Sequence, residues 1–396
     1  MHTFILIIFF TISLNANSLE TLVQKSINQH NSLDAIKYRL SSMNQKIDIS
    51  TLFDNPQLSL DISDIDLSRP FDRGIEPMQY QAIGFKQKFP WFGKLEAKKG
   101  VSLARRAILL DSYNEARVEL ALQVRLAYYS IVSIKKQIYI LGRYKRLLAK
   151  SISLYSSYLS VDKDSHNSRM VDSLSLSNTK IEIERYKSLL KAYKSRLSYL
   201  TKSKSKVSAK IRVKSPKSLR HYISRLHHNP SYQKMKSKVK KANANKRVED
   251  LSIYPDPYLK VGYFNRQRFN DYLSIGVGVS LPIYGKERLK SQIAQKELLA
   301  SKSDELDFRD ILKRDISIEY AKLKEAYKIY KILTNESLPK LKHIFELSQA
   351  SIQNGGDIVS YINLLSQKSR LEAGIVSIRL RYIESKLRLN ALIGEI

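Results

Sequence analysis

Hydrophobic positions along this chain switch between two spacings. Leu273, Ile275, Val277, Val279 and Leu281 alternate with Tyr272, Ser274, Gly276, Gly278 and Ser280, the period of a strand with one apolar face. Pro257 to Phe264 is a matching partner across the polar loop Asn265 to Asp271. Earlier, Leu58, Leu60 and Ile62 alternate with Ser59, Asp61 and Ser63, and Gln79 to Phe89 is a less regular partner. Strands are therefore expected at about 57–66, 79–89, 257–264 and 272–281. Runs of about nine to eleven residues suit tilted strands that cross a membrane.

After each strand pair the spacing turns helical and stays so. From Leu103 a 4-3 seam runs through Leu110, Tyr113, Leu120, Val124, Ala127, Ile131, Ile134, Ile138, Leu141, Leu148, Ile152, Tyr155 and Leu159, broken only by Arg106, Arg117 and Lys145. A 3.5-residue repeat held this long means coiled-coil packing. The second copy of the seam uses Leu312, Ile316, Leu323, Ala326, Tyr330 and Leu333. Returning helices carry Ile183, Tyr186, Leu190, Tyr193, Leu197 and Leu200, then Leu371, Ile375, Ile378, Tyr382, Leu389 and Leu392. Long helices are expected at about 94–161, 168–204, 286–353 and 357–393. The first would be roughly 100 Å long at 1.5 Å per residue.

These elements come twice. Phe89 to Lys94 reads FPWFGK and Leu281 to Lys286 reads LPIYGK, 192 positions apart, and Gly84 and Gly276 keep that offset. Ser18-Leu19 and Ser218-Leu219 each open a helical stretch, ending near Asn55-Pro56 and Asp256-Pro257. A duplicated fold follows, with repeats at 17–210 and 211–396. Four strands cannot close a barrel, and open sheet edges are not tolerated in lipid. Copies must pool their hairpins, and three copies would supply twelve strands, enough for an open lumen. The expected fold class is mostly α with a membrane β-barrel portion, continued by a helical tunnel.

With FPWFGK and LPIYGK at its corners, and Leu338-Pro339 followed by SIQNGGDIVSYINLLSQKSRLEA at Ser351 to Ala373, the chain resembles the TolC family of outer-membrane efflux proteins. The resemblance spans nearly everything from Ser18 to Ile396. It implies a homotrimer in outer-membrane lipid, a tunnel into the periplasm, a periplasmic adaptor protein, and an inner-membrane pump of the RND or ABC type. It implies no catalysis. The cargo would be small molecules or metal cations, since relatives that export metals often carry a similar corner followed by Gly-Lys. A type I protein-secretion duct is the alternative. Many lipid-anchored relatives begin the mature chain with a cysteine, which this sequence lacks, so lipidation is not expected.

The corner aromatics Phe89, Trp91, Phe92 and Tyr284, with Leu281, Pro90, Pro282, Gly93 and Gly285, are expected at a membrane interface. The tunnel mouth and adaptor-docking region would lie at the turns holding Asp162 and Asp164, and Gly355, Gly356 and Asp357. In relatives, acidic rings just after that glycine narrow the pore and select cations; here Asn363 and Ser366 stand in the matching stretch. Those substitutions weigh against strong cation selectivity. The aspartates fit capping or docking better than gating.

Composition adds location and limits. Met1 to Leu14 is a short apolar run followed by Asn15, Ala16, Asn17 and Ser18, which fits a signal peptide over 1–16. The formal net charge is +31, and Lys202 to Arg247 holds sixteen Lys or Arg and no Asp or Glu. Such a run can bind nucleic acid or an anionic surface, and a basic coiled-coil nucleic-acid-binding protein is the competing class. The charge fits it, but two amphipathic hairpins, corner aromatics and a signal peptide do not, so no nucleic-acid partner is expected. A Lys-rich solvated face is the preferred reading of the run. His227 and His228 are adjacent and cannot share a helix face, and methionines are few and scattered. With no cysteine, phosphate loop or catalytic motif, no metal site and no cofactor is expected.

Overall fold

The computed structural model describes residues 19–158, 163–353 and 358–396. The expected signal peptide at 1–16 lies outside them. By contact the chain divides into two units, each assembled from both halves of the sequence. One comprises Ala35–Tyr113 and Pro230–Asp310; the other comprises the chain up to Asp34, Asn114–Asn229 and Ile311–Ile396.

In chain order the helices are α1 (Leu19–Gln29), α2 (Asn31–Ile49), α3 (Lys94–Tyr158), α4 (Lys163–Thr201), α5 (Leu219–Ile223), α6 (Pro230–Leu251), α7 (Lys286–Ile332), α8 (Leu338–Gln353) and α9 (Ile358–Leu392). The strands are β1 (Gln57–Ser63), β2 (Tyr80–Lys88), β3 (Pro257–Asn265) and β4 (Tyr272–Val279). They form a single antiparallel sheet in the order β1-β2-β3-β4. The hairpins pair Leu58 with Phe85 and Leu259 with Val277, and the two hairpins join through Gly84 opposite Gly262.

Three helix interruptions went unread in the sequence. The stretch opened at Leu19 breaks at His30, and the one opened at Leu219 breaks through a 3₁₀ turn, Leu226–His228, before Pro230. The break thus falls at equivalent places in the two halves. The helix beginning at Lys286 passes through a π turn, Leu333–Ser337, before α8. Pro339 supplies the cause: it has no N–H for the carbonyl four residues back, and its ring crowds that carbonyl.

In the unit holding the sheet, each long helix buries apolar side chains. Ala97 and Val101 of α3 and Ala294 and Leu298 of α7 are buried. Side chains tie α6 to its neighbours: Ser237 Oγ donates to Asp111 Oδ2 at 2.6 Å and Tyr232 Oη to Glu305 Oε1 at 2.8 Å. In the other unit, the seam positions Leu120, Val124, Ala127, Ile131, Ile134, Ile316, Leu323, Ala326, Ile375, Tyr382 and Leu389 are buried, as a coiled-coil core requires. The seam is not buried throughout, since Leu103 and Leu110 are exposed.

Candidate functional site

Residues directly opposite in a sheet share a face, so the register sorts the side chains. One face carries Leu58, Leu60, Ile62, Ile83, Phe85, Leu259, Val261, Tyr263, Leu273, Ile275, Val277 and Val279. Its only polar side chains in the paired rows are Gln81, Gln87 and Asn265 beside the Tyr263 hydroxyl. It is bare: Leu60 is 78% and Val277 81% exposed. The other face carries Ser59, Gly84, Gly262, Ser274 and Gly276, and all four charged residues of the paired rows, Asp61, Lys86, Lys88 and Lys260. The less regular β2 is explained here, because Ala82 and Gly84 keep the polar face small rather than polar.

Glycine on that face makes room for rings. A Cβ at Gly278 would lie 2.3 Å from the Tyr258 ring. Phe264 stacks on Tyr272 with centroids 4.6 Å apart, and Tyr80 meets Phe264 edge-on. Lys86 Nζ sits 4.3 Å over the Tyr258 ring.

The first corner is organised around Asp256, a residue that sequence reading used only to mark a helix end. Its Oδ1 accepts from Lys94 Nζ at 2.6 Å and from the Trp91 backbone N–H at 2.9 Å, while Lys88 lies 3.3 Å from Oδ2. Lys94 Nζ also donates to the Tyr254 carbonyl at 2.6 Å, and Phe89 N–H to the Pro257 carbonyl at 2.8 Å. Burial works against the Asp256 charge, but the hydrogen bonds from Lys94 and Trp91 outweigh it, and the carboxyl is held below its usual range. Trp91 stacks on Tyr254 at 5.8 Å and Phe53 meets Phe89 at 6.0 Å. Phe92 is exposed and Pro90 half-buried. At the second corner Leu281 and Tyr284 are exposed and Pro282 is half-buried. Gly93 and Gly285 both have positive φ, 82° and 71°, so each corner needs its glycine.

Of the tunnel-mouth candidates, Asp162, Gly355, Gly356 and Asp357 lie outside the described residues, and Asp164 falls in the first turn of α4. Asn363 is exposed and Ser366 half-buried on α9. Nearby, Ile362 packs on Leu148 with Tyr144, Ile152 and Leu176 around them. A cluster that sequence reading missed joins α3, α8 and α9. Arg143 is bonded to Glu372, Lys368 Nζ lies 3.8 Å over the Phe345 ring, and Phe345 stacks on Tyr361 at 5.4 Å. Burial lowers the Lys368 pKa, with Glu372 opposing that shift.

The basic run is divided. Residues 204–218 form a strap without helix or strand, held at its backbone carbonyls by Lys135 Nζ on Val207 at 2.7 Å, Tyr128 Oη on Ser208 at 2.8 Å and Tyr382 Oη on Lys214 at 2.8 Å. The rest of the run lies on α5, the 3₁₀ turn and α6. His227 and His228 sit in that 3₁₀ turn. Among the described residues no group of three or more His, Cys, Asp or Glu could hold a metal ion, and no helix is long and apolar enough to cross a membrane.

No protein-family model matches the chain, and no curated protein matches it by sequence. Solved structures do match. The open state of the Neisseria gonorrhoeae MtrE outer membrane channel aligns with a TM-score of 0.80 at 14% identity, over 95% of this chain and 89% of that one. The Campylobacter jejuni CmeC outer membrane channel aligns with a TM-score of 0.76 at 14% identity, over 95% and 85%. The outer membrane protein VceC from Vibrio cholerae gives 0.76 and 14%, over 95% and 96%. The chain therefore has the fold of these outer-membrane channels, the one its TolC-family resemblance implies.

Proposed function

We propose that the chain is a non-enzymatic exit duct in the outer membrane, reaching into the periplasm as a homotrimer. It would serve a tripartite efflux pump whose inner-membrane component, of the RND or ABC type, supplies the energy through a periplasmic adaptor. Small molecules or metal cations are the cargo, and the FPWFGK and LPIYGK corners sit at the membrane interface. The tunnel mouth is assigned to the segments around Asp162 and Gly355-Gly356, and the two sequence repeats meet near residue 210.

The observation that carries this reading is the sorted sheet. Its large aliphatic side chains share one bare face, its charges share the other, and β1 and β4 end the strand order. Water would penalise the first feature. Lipid would reward it but would penalise every unpaired backbone group on the two edges. Pairing between copies answers both.

The internal repeat predicts the register of that pairing. Adding 201 to the first member and 192 to the second turns Leu58↔Phe85 into Leu259↔Val277, so the hairpins are equivalent. Moving the β2–β3 pair Phe85↔Val261 by 192 and by minus 201 places Val277 opposite Leu60 of the next copy. Apolar rows then continue across the boundary. A row followed from Leu60 through Ile83, Tyr263 and Leu273 reaches position 64 of the next copy, four residues on. Four residues over four strand spacings give a tilt of about 35°, within the range for closed barrels.

A cysteine-free chain makes the test direct. Val277→Cys with Leu60→Cys should crosslink copies into a covalent trimer under mild oxidation, whereas Val277→Cys with Leu58→Cys, two residues out of register, should not. A crosslinked product no larger than a dimer, or recovery of the chain as a folded monomer without detergent, would refute the duct.

A further inference from the structure

The strap leaves a feature that the duct does not use. A groove of about 990 Å³ runs beside it, entirely within one unit. Three separate segments line the groove with cations: Lys135 and Lys136 from α3, Lys210, Arg212 and Lys214 from the strap, and Arg379 from α9. Its lining includes no carboxylate. A Lys-rich composition explains many lysines along a chain, but it does not explain why six cations from three elements converge on one concavity.

Along the strap exposure alternates: Lys210, Arg212 and Lys214 are exposed, while Ile211 and Val213 are half-buried, and all five line the groove. The apolar share of the lining comes from Val132, Ile211, Val213 and Val376, with the rings of Tyr139 and Tyr330. Arg379 is held by the Tyr330 hydroxyl at 3.2 Å and lies 5.3 Å over that ring. Cationic and apolar positions therefore alternate along the strap from Lys210 to Lys214.

We infer that this groove is a docking site for an acidic, partly apolar peptide segment of a partner protein, laid extended along the strap. Carboxylates on the occupant answer the six cations, and its alternate apolar side chains answer the valines and tyrosines. A phosphate-rich glycan or polyphosphate would match the charge but leave the apolar rail unused, so the peptide is the better fit. The inference does not depend on which cargo the duct carries.

Fluorescence anisotropy of a short labelled peptide of alternating Glu and Val tests it, using the purified, detergent-solubilised full chain. Binding should weaken with salt. It should fall about tenfold in Lys210→Gln/Arg212→Gln/Lys214→Gln, since each exposed ion pair contributes a fraction of a kcal/mol to about 1 kcal/mol. The same substitutions to Lys or Arg should keep it. Lys238→Gln/Lys240→Gln/Lys241→Gln on α6 removes equal charge elsewhere and should change binding less than about twofold. Equal loss in both triple-Gln variants would overturn the site by reducing it to net charge. Binding of polyphosphate as tight as that of the peptide, with the same sensitivity to the strap triple, would overturn the peptide assignment.

Discussion

Asp256 shows how much one side chain can organise where strand meets helix. It binds an ammonium group and a backbone N–H from the far side of the corner, and Lys94 is largely buried against it. Asp256→Ala leaves that ammonium with the Tyr254 carbonyl but no carboxylate, so a loss of about 2 kcal/mol is expected, read as a lower unfolding temperature of the detergent-solubilised protein. The equivalent position in the first half is Asn55, an uncharged amide, and Asn55→Ala should cost less. The pH dependence has a definite sign. A carboxyl whose folded pKa lies below its unfolded value stabilises above the ordinary carboxylate range, and that stability is lost as pH falls through the lowered value. Wild-type protein should therefore lose more stability between neutral and acidic pH than Asp256→Asn. The corner glycines act through backbone alone: Gly93→Ala and Gly285→Ala should each cost about 1 kcal/mol, because their φ lies where a Cβ is strained.

At the scale of elements, short-range patterns were readable and encounters between distant segments were not. The alternation at Leu273 to Val279 gave β4 within two residues of its observed end, and the paired corners pointed to a repeated order of elements. Asp256 could not be weighed from sequence, because its partners Trp91 and Lys94 lie more than 160 positions away. The Arg143–Glu372 pair and the convergence of cations beside the strap are hidden for the same reason. The π turn is a different kind of miss. Pro339 was in plain view, but the seam through Leu333 made the helix read as unbroken. Restoring an N–H with Pro339→Ala should let the ladder close in ordinary α geometry across Leu333–Ser337. Hydrogen exchange at residues 335–338 should then slow, and unchanged exchange would mean that neighbouring packing, not the proline, imposes the turn.

For the whole molecule the decisive quantity is which solvent each face of the sheet meets. The large aliphatic side chains of one face and the charged side chains of the other are both exposed in one copy, so exposure alone does not assign a solvent to each; side-chain chemistry does. If Ile275 and Val277 face hydrocarbon, a lysine at either site places a charge there at a cost of roughly 2–4 kcal/mol near the midplane. Ser274, the residue before Ile275, lies on the opposite face, with Lys86 and Lys260, where a lysine would meet water. Ile275→Lys and Ser274→Lys, one residue apart on an exposed strand, should therefore differ sharply in the yield of assembled outer-membrane protein. A soluble sheet would tolerate both, and a sheet buried on both faces against other protein would reject both. A wall between lipid and water separates the two substitutions, and it must do so with this sign, since reversal would put the charges of Lys86 and Lys260 in hydrocarbon.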